Sequence, residues 1–225
     1  MTKLSAYWLM LFLCVGTAGY TMAQFEGIIE SRNTTIDEAG QLQEFTMTMY
    51  IGPNMAMIRT SPFGSSPGST MIYRGDMKVM WMLNEEDHTY FEIGHDEEPD
   101  RMFVPSDGSG KPDIKKTGKS KQVLGYKCDQ IVIRESDRET EMWATKSLGN
   151  LYQTLSSILG TEEAEQGWES QIMRMGYYPL IARTKVEGKV LESQEVTRIE
   201  KKKLDAGLFE VPEGFSKQKS VDMMK

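Results

Sequence analysis

The chain has 225 residues, with 33 acidic against 26 basic side chains and a net charge of −7. That balance argues against a nucleic-acid partner and against simple electrostatic binding to anionic lipid headgroups. Its length allows one domain with a sizeable core, and its two cysteines, Cys14 and Cys128, leave little scope for a disulfide framework.

The first residues indicate an address. Lys3 precedes an apolar run over residues 6–15, and Thr21-Met22-Ala23 gives a small-x-small site. This predicts a secretory signal peptide over 1–23, cleaved after Ala23, and a periplasmic or secreted protein. The run is shorter than the roughly 20 apolar residues of a spanning helix, and no later segment is long enough. Cys14 lies inside the run behind Leu13, where a lipoprotein cleavage site needs a small residue. It is therefore lost with the leader, and Cys128 remains as a lone, buried thiol.

From residue 45 to 51, Phe45, Met47, Met49 and Ile51 alternate with Thr46 and Thr48, the period of a strand. Gly52-Pro53-Asn54 turns the chain, and alternation resumes over 55–60. A Ser/Gly/Pro loop over 61–69 follows. Strands over 71–74 and 77–83 flank Gly75-Asp76, read as a tight hairpin. Residues 84–87 turn again before a strand over 89–93. Within 77–83, Met77, Val79, Trp81 and Leu83 are apolar on one face, and Met80 and Met82 are apolar on the other. Such a strand is covered on both sides.

Residues 94–120 are polar and rich in Asp, Glu, Gly, Pro and Lys, and read as a long loop. Strands are predicted over 121–133 and 139–144. Leu148, Leu151, Tyr152, Leu155, Ile158 and Leu159 then recur at helical spacing, between Ser147 as cap and Gly160 as stop. A second helix is predicted over 162–175 and a hairpin over 179–186 and 189–201, turning at Glu187-Gly188. The tail from 216 to 225 reads as frayed. The sum is an α+β fold, one large antiparallel sheet with an inserted helical segment on its second apolar face.

Three stretches carry a family resemblance. They are residues 117–128, which end in Gly125-Tyr126-Lys127-Cys128, the tryptophan strand Glu141-Met142-Trp143-Ala144-Thr145-Lys146, and the close Leu208-Phe209-Glu210-Val211-Pro212-Glu213-Gly214-Phe215. They resemble the bacterial domain-of-unknown-function family 4412, within the wider group around the lipoprotein carriers LolA and LolB. The resemblance implies a LolA-like domain over 24–215. That fold is a curved, half-open barrel whose concave face is covered by the helical segment, with an apolar cavity between. In LolA the cavity takes lipoprotein acyl chains.

The chemistry is sparse. His-Glu-x-x-His and a phosphate loop are both missing, and the two histidines, His88 and His95, lie in acidic loops without a calcium-loop pattern. The expectation is no enzyme and no cofactor. Methionines crowd the front strands, and Met suits adaptable apolar surfaces as well as plain core filling. The pairs Met47/Met49, Met55/Met57 and Met80/Met82 also offer thioethers that would suit Cu(I). Lys115, Lys116, Lys119 and Lys121 form a basic stretch, suited to an acidic partner, to lipid headgroups or to guarding a sheet edge. The leading expectation is an apolar-ligand cavity lined by Met47, Met49, Met80, Trp81, Met82, Leu151 and Leu155, with a lipid or lipoprotein as partner. The alternative is an envelope interaction module with a filled core and a protein partner.

Overall fold

The computed structural model describes residues 25–37, 39–62, 64, 67–94, 112–148, 151, 155 and 168–218. The predicted signal peptide, the acidic stretch at 95–100 and most of the first predicted helix lie outside them.

Twelve strands form one sheet. They are β1 (Gly27–Ile36), β2 (Leu42–Gly52), β3 (Met55–Thr60), β4 (Ser69–Arg74), β5 (Val79–Asn84), β6 (Thr89–Gly94), β7 (Asp113–Val123), β8 (Tyr126–Glu135), β9 (Arg138–Thr145), β10 (Tyr178–Val186), β11 (Lys189–Lys201) and β12 (Ser216–Gln218). Their order is β12-β6-β5-β4-β3-β2-β1-β11-β10-β9-β8-β7, so the sheet is open, with β12 and β7 at its edges. Every neighbouring pair is antiparallel except β12 on β6. Helical structure among the described residues comprises α1 (Trp168–Arg174), a 3₁₀ turn (Ala206–Phe209), and helical backbone at Leu151 and Leu155. No helix among them is long and apolar enough to cross a membrane.

Several expectations change. β1 stands at the centre of the sheet although periodicity does not reveal it. Its buried Ser31 and Asn33 are polar, and Asn33 Nδ2 donates to Ser31 Oγ at 3.1 Å. Residues 113–120, predicted as loop, begin β7. An exposed edge strand rich in lysine lacks apolar alternation, so its strand character is hidden. The predicted strand over 121–133 is two strands, turned at Leu124-Gly125. The turn after β4 spans four residues, closed by Arg74 donating to both carboxylate oxygens of Asp76 at 2.8 Å. Met77 consequently leaves the sheet and is 52% exposed. The tail is not frayed at its start: Ser216–Gln218 pairs with Thr89–Phe91, and Lys217 Nζ lies 2.6 Å from Glu92 Oε1.

The β1–β11 ladder joins the front hairpins to the rear ones. Gly27 sits there at φ 151°, where a Cβ would lie 2.0 Å from the Glu200 carbonyl oxygen. Neither that conformation nor that space admits another residue without moving backbone. Gly27→Ala is therefore expected to lower stability by about 2 kcal/mol or more, read as a lower urea midpoint at unchanged slope.

Candidate functional site

The front strands are apolar on both faces, and register decides what each face meets. One row runs across seven strands as Ile199, Ile29, Met49, Ile58, Met71, Met82 and Phe91, each residue facing the next. A second row beside it runs Ile51, Ala56, Tyr73, Met80 and Ile93. Met47 adjoins them, opposite Ser31 and Thr60. Burial in the first row peaks at Ile29, which is fully buried, and Met49, nearly so, whereas Ile199 on one side and Ile58, Met71, Met82 and Phe91 on the other are half-buried.

The same face carries the late segment. Leu148, Leu151 and Leu155 are buried in one cluster with Ile29, Met49, Ile51, Tyr73 and Met80, and Met47, Ile58, Met71, Met82 and Ile93 pack against it. Of the seven residues expected to line a cavity, six therefore meet on this face: Met47, Met49, Met80, Met82, Leu151 and Leu155. Trp81 is placed elsewhere. As the chain neighbour of Met80 and Met82 in an unbroken strand, it points to the other face. There it is buried with Met57, Ile72, Leu83 and Phe209, and its indole Nε1 donates to Glu92 Oε2 at 3.0 Å. Sequence reasoning left Ile58, Tyr73, Phe91 and Ile93 out of the site. Counting register through the short turns would have aligned them with the methionines.

The cover of the second face comes from the C-terminal close. Leu204, Leu208, Phe209, Val211 and Phe215 pack on Met57, Ile72, Trp81 and Leu83. Arg74 ties this segment down through the Phe209 carbonyl and the Glu210 carboxylate, and Asp205 caps the 3₁₀ turn by accepting from the Gly207 N–H at 2.8 Å. The Phe-x-Val-Pro close is thus a packing motif.

Polar chemistry on the methionine face is slight. The Tyr73 phenol donates to Met71 Sδ at 3.6 Å, and burial pushes its pKa up to about 12. Cys128 is fully buried, its thiol directed at the Tyr126 carbonyl, and burial raises its pKa, which leaves it an inert core group. Among the described residues no group of three or more His, Cys, Asp or Glu side chains is placed to hold a metal ion. The methionine pairs divide between faces: Met55 and Met57 lie with Trp81, away from Met47/Met49 and Met80/Met82. His88 lies in the turn after β5, where Asn84 Oδ1 accepts from the Glu86 and Asp87 N–H groups, and its ring is 5.4 Å from Phe215.

Elsewhere, the Tyr177 hydroxyl donates to Asp129 Oδ2 at 2.6 Å, which with Lys116 holds that carboxyl below its usual range. The Lys116 and Lys146 ammoniums lie 5.1 and 4.7 Å from the Tyr177 ring centroid. A cleft of about 90 Å³ lined by Ile133, Thr140, Trp168, Thr184 and charged side chains is well below the roughly 300 Å³ at which small-molecule sites begin.

Comparison with known proteins follows this geometry. The family model described as "Domain of unknown function (DUF4412)" matches residues 25–215, and the chain belongs to that family. No curated protein matches. An uncharacterised conserved protein from Thermus thermophilus shares the fold: it is 13% identical over 86% of this chain and 90% of its own, with a TM-score of 0.50. A LolA superfamily protein from Nitrosomonas europaea is 8% identical over 84% of this chain and 91% of its own, with a TM-score of 0.37. MucB, solved in complex with MucA(peri), is 10% identical over 83% of this chain and 55% of its own, with a TM-score of 0.41.

Tyr73 offers a check on the packing of the methionine face. A phenol whose folded pKa is raised contributes stability below the unfolded value near 10 and loses it as pH rises toward 12. Titration followed by tyrosinate absorbance is expected to show a late component near pH 12 that Tyr73→Phe removes.

Proposed function

We propose that this DUF4412 protein is an exported, non-enzymatic binder of an apolar ligand, which it holds on the methionine face. The observation that carries this reading is the row Ile199, Ile29, Met49, Ile58, Met71, Met82, Phe91, buried at Ile29 and Met49 and half-buried from β3 to β6. Here the side chains left partly open include two unbranched thioethers facing each other, which adapt to an occupant of variable shape.

In this reading the sheet curves as a half-open barrel, and the segment containing Leu151 and Leu155 covers its concave face. The ligand lies between them, against Met47, Met71 and Met82. An acyl chain of a lipid or lipoprotein has the required chemistry: it is long, flexible and without polar groups to satisfy. The LolA-like resemblance of the sequence points the same way, by analogy of fold. Cleavage after Ala23 would place the protein in the periplasm or outside the cell, where such ligands must cross water.

The test is purification of the mature chain after export in a bacterial host, native mass spectrometry for co-purifying lipid, and titration with a fluorescent fatty acid. Met71→Gln with Met82→Gln keeps side-chain length and adds polarity. This pair is expected to weaken binding about tenfold or more, while Val190→Asp, at an exposed position on β11, leaves it unchanged. A protein that carries no lipid and binds no fatty acid would overturn the reading and favour an interaction module with a filled core.

A further inference from the structure

Leu124 breaks a local rule. It occupies the first position of the two-residue turn between β7 and β8, at φ 50°, with Gly125 at φ 79°. Left-handed backbone at both positions is the type I′ hairpin turn, which favours Asn-Gly or Asp-Gly. A leucine side chain is strained there and gains nothing in return, because it is 45% exposed. Among the described residues the other non-glycine positions at positive φ are Asn54, Lys78, His88, Ser136 and Glu187, all polar. Leu124 is the apolar exception.

Its surroundings are basic. Lys115, Lys116, Lys119, Lys121 and Lys127 stand within 113–127 against Asp113 alone, and all five are exposed. The Lys121 ammonium lies 4.3 Å from the Trp143 ring centroid, close behind the tip. Lysine on an edge strand is explained by protection against strand pairing. That explanation covers β7. It covers neither Lys127 on β8, nor exposed Lys146 just beyond β9, nor a leucine at the tip.

The registers place Lys115 and Lys116, which pair with Val132 and Ile131, toward one end of the sheet, and Leu124, Lys121, Lys127 and Lys146 at the other. Tyr126 on β8, Thr145 on β9, Tyr178 on β10, Lys201 on β11, Gly27 on β1 and the turn after β4 all lie at that end. There Lys201, Lys202 and Lys203 are exposed, and Met77, 52% exposed, precedes Lys78. The turns at the opposite end carry Asp37, Glu85, Glu86, Asp87, Asp137 and Glu187. Acidic side chains at the lysine-rich end are held by cations, Asp76 by Arg74 and Glu200 by Arg198 and Lys202.

We propose that this end docks on an anionic lipid bilayer. Leu124 enters the boundary between headgroups and acyl chains, and Lys119, Lys121, Lys127, Lys146 and Lys201 meet the lipid phosphates. Exposed apolar side chains flanked by cations are suited to that interface, and the acidic turns at the far end orient the molecule toward it. This docking is independent of whether the methionine face holds a ligand.

Co-sedimentation of the mature full chain with phosphatidylcholine vesicles, with and without phosphatidylglycerol, tests it. Binding is expected only with phosphatidylglycerol and falls with added salt. Leu124→Asn installs the residue the turn prefers, so its unfolding midpoint stays or rises while its vesicle affinity drops about tenfold. Lys121→Gln with Lys127→Gln is expected to lose binding at moderate salt without loss of stability, and Met71→Gln with Met82→Gln is expected to bind vesicles normally. The proposal is overturned if the protein ignores phosphatidylglycerol vesicles at low salt, as it would were an acidic protein segment the partner of the lysines. It is equally overturned if Leu124→Asn binds like the parent, or if binding is indifferent to lipid charge.

Discussion

The pairing of β1 with β11 is the constraint on which the other contacts rest. It joins residues as far apart as Glu30 and Arg198, 168 positions in sequence, whereas most other neighbours in the sheet are consecutive hairpins. Hairpins form locally and are marginal alone. The β1–β11 ladder makes them one sheet and fixes, strand by strand, which side chains share a face. Its register shift between Glu30 and Ser31 brings Val196, not Thr197, opposite Ser31, and Val196 is buried. A slip of one residue would turn the methionine row outward on every strand beyond it. A contact of such sequence separation also makes slow folding the expectation.

A sheet apolar on both faces needs two covers, and here they come from different parts of the chain. The C-terminal segment supplies one, locked by Phe209 against Gly52, where a Cβ would stand 3.1 Å from the ring. Arg74 adds a fixed polar tie to its backbone. On this side Trp81 and Leu83 are buried, and the indole has its acceptor. On the other face Leu148, Leu151 and Leu155 cover the centre and leave Met71, Met82 and Phe91 half-buried.

Legibility in the sequence followed the physics of each segment. The alternation at Met47, Met49 and Ile51 was plain because one side of β2 meets the core, and Glu187-Gly188 was plain because two left-handed residues need that chemistry. β1 was hidden because its interior polar groups bond each other, so Ser31 and Asn33 occupy positions that periodicity reserves for apolar side chains. β7 was hidden by its lysines. The faces of Met80 and Trp81 were separable in principle, since they are adjacent in one strand, but which face pointed where depended on covers 60 or more positions away in sequence. No local pattern carries that information.

The places where local rules fail are where function is sought, once folding reasons are spent. Ser31 and Asn33 break the apolar pattern but satisfy one another, so they need no further account. Asn54 and Glu187 take left-handed backbone at turns that polar residues tolerate. Leu124 differs from both: its conformation costs about 1–2 kcal/mol relative to a permissive residue, and its exposure returns no burial. Met71 and Met82 depart as well, two thioethers that face each other and stay half-buried. These two departures lie on the same sheet, one on a face and one at an end. In the proposed reading, a face that accepts an apolar molecule and an end that meets its source surface are complementary requirements for moving such a molecule out of a membrane and through water.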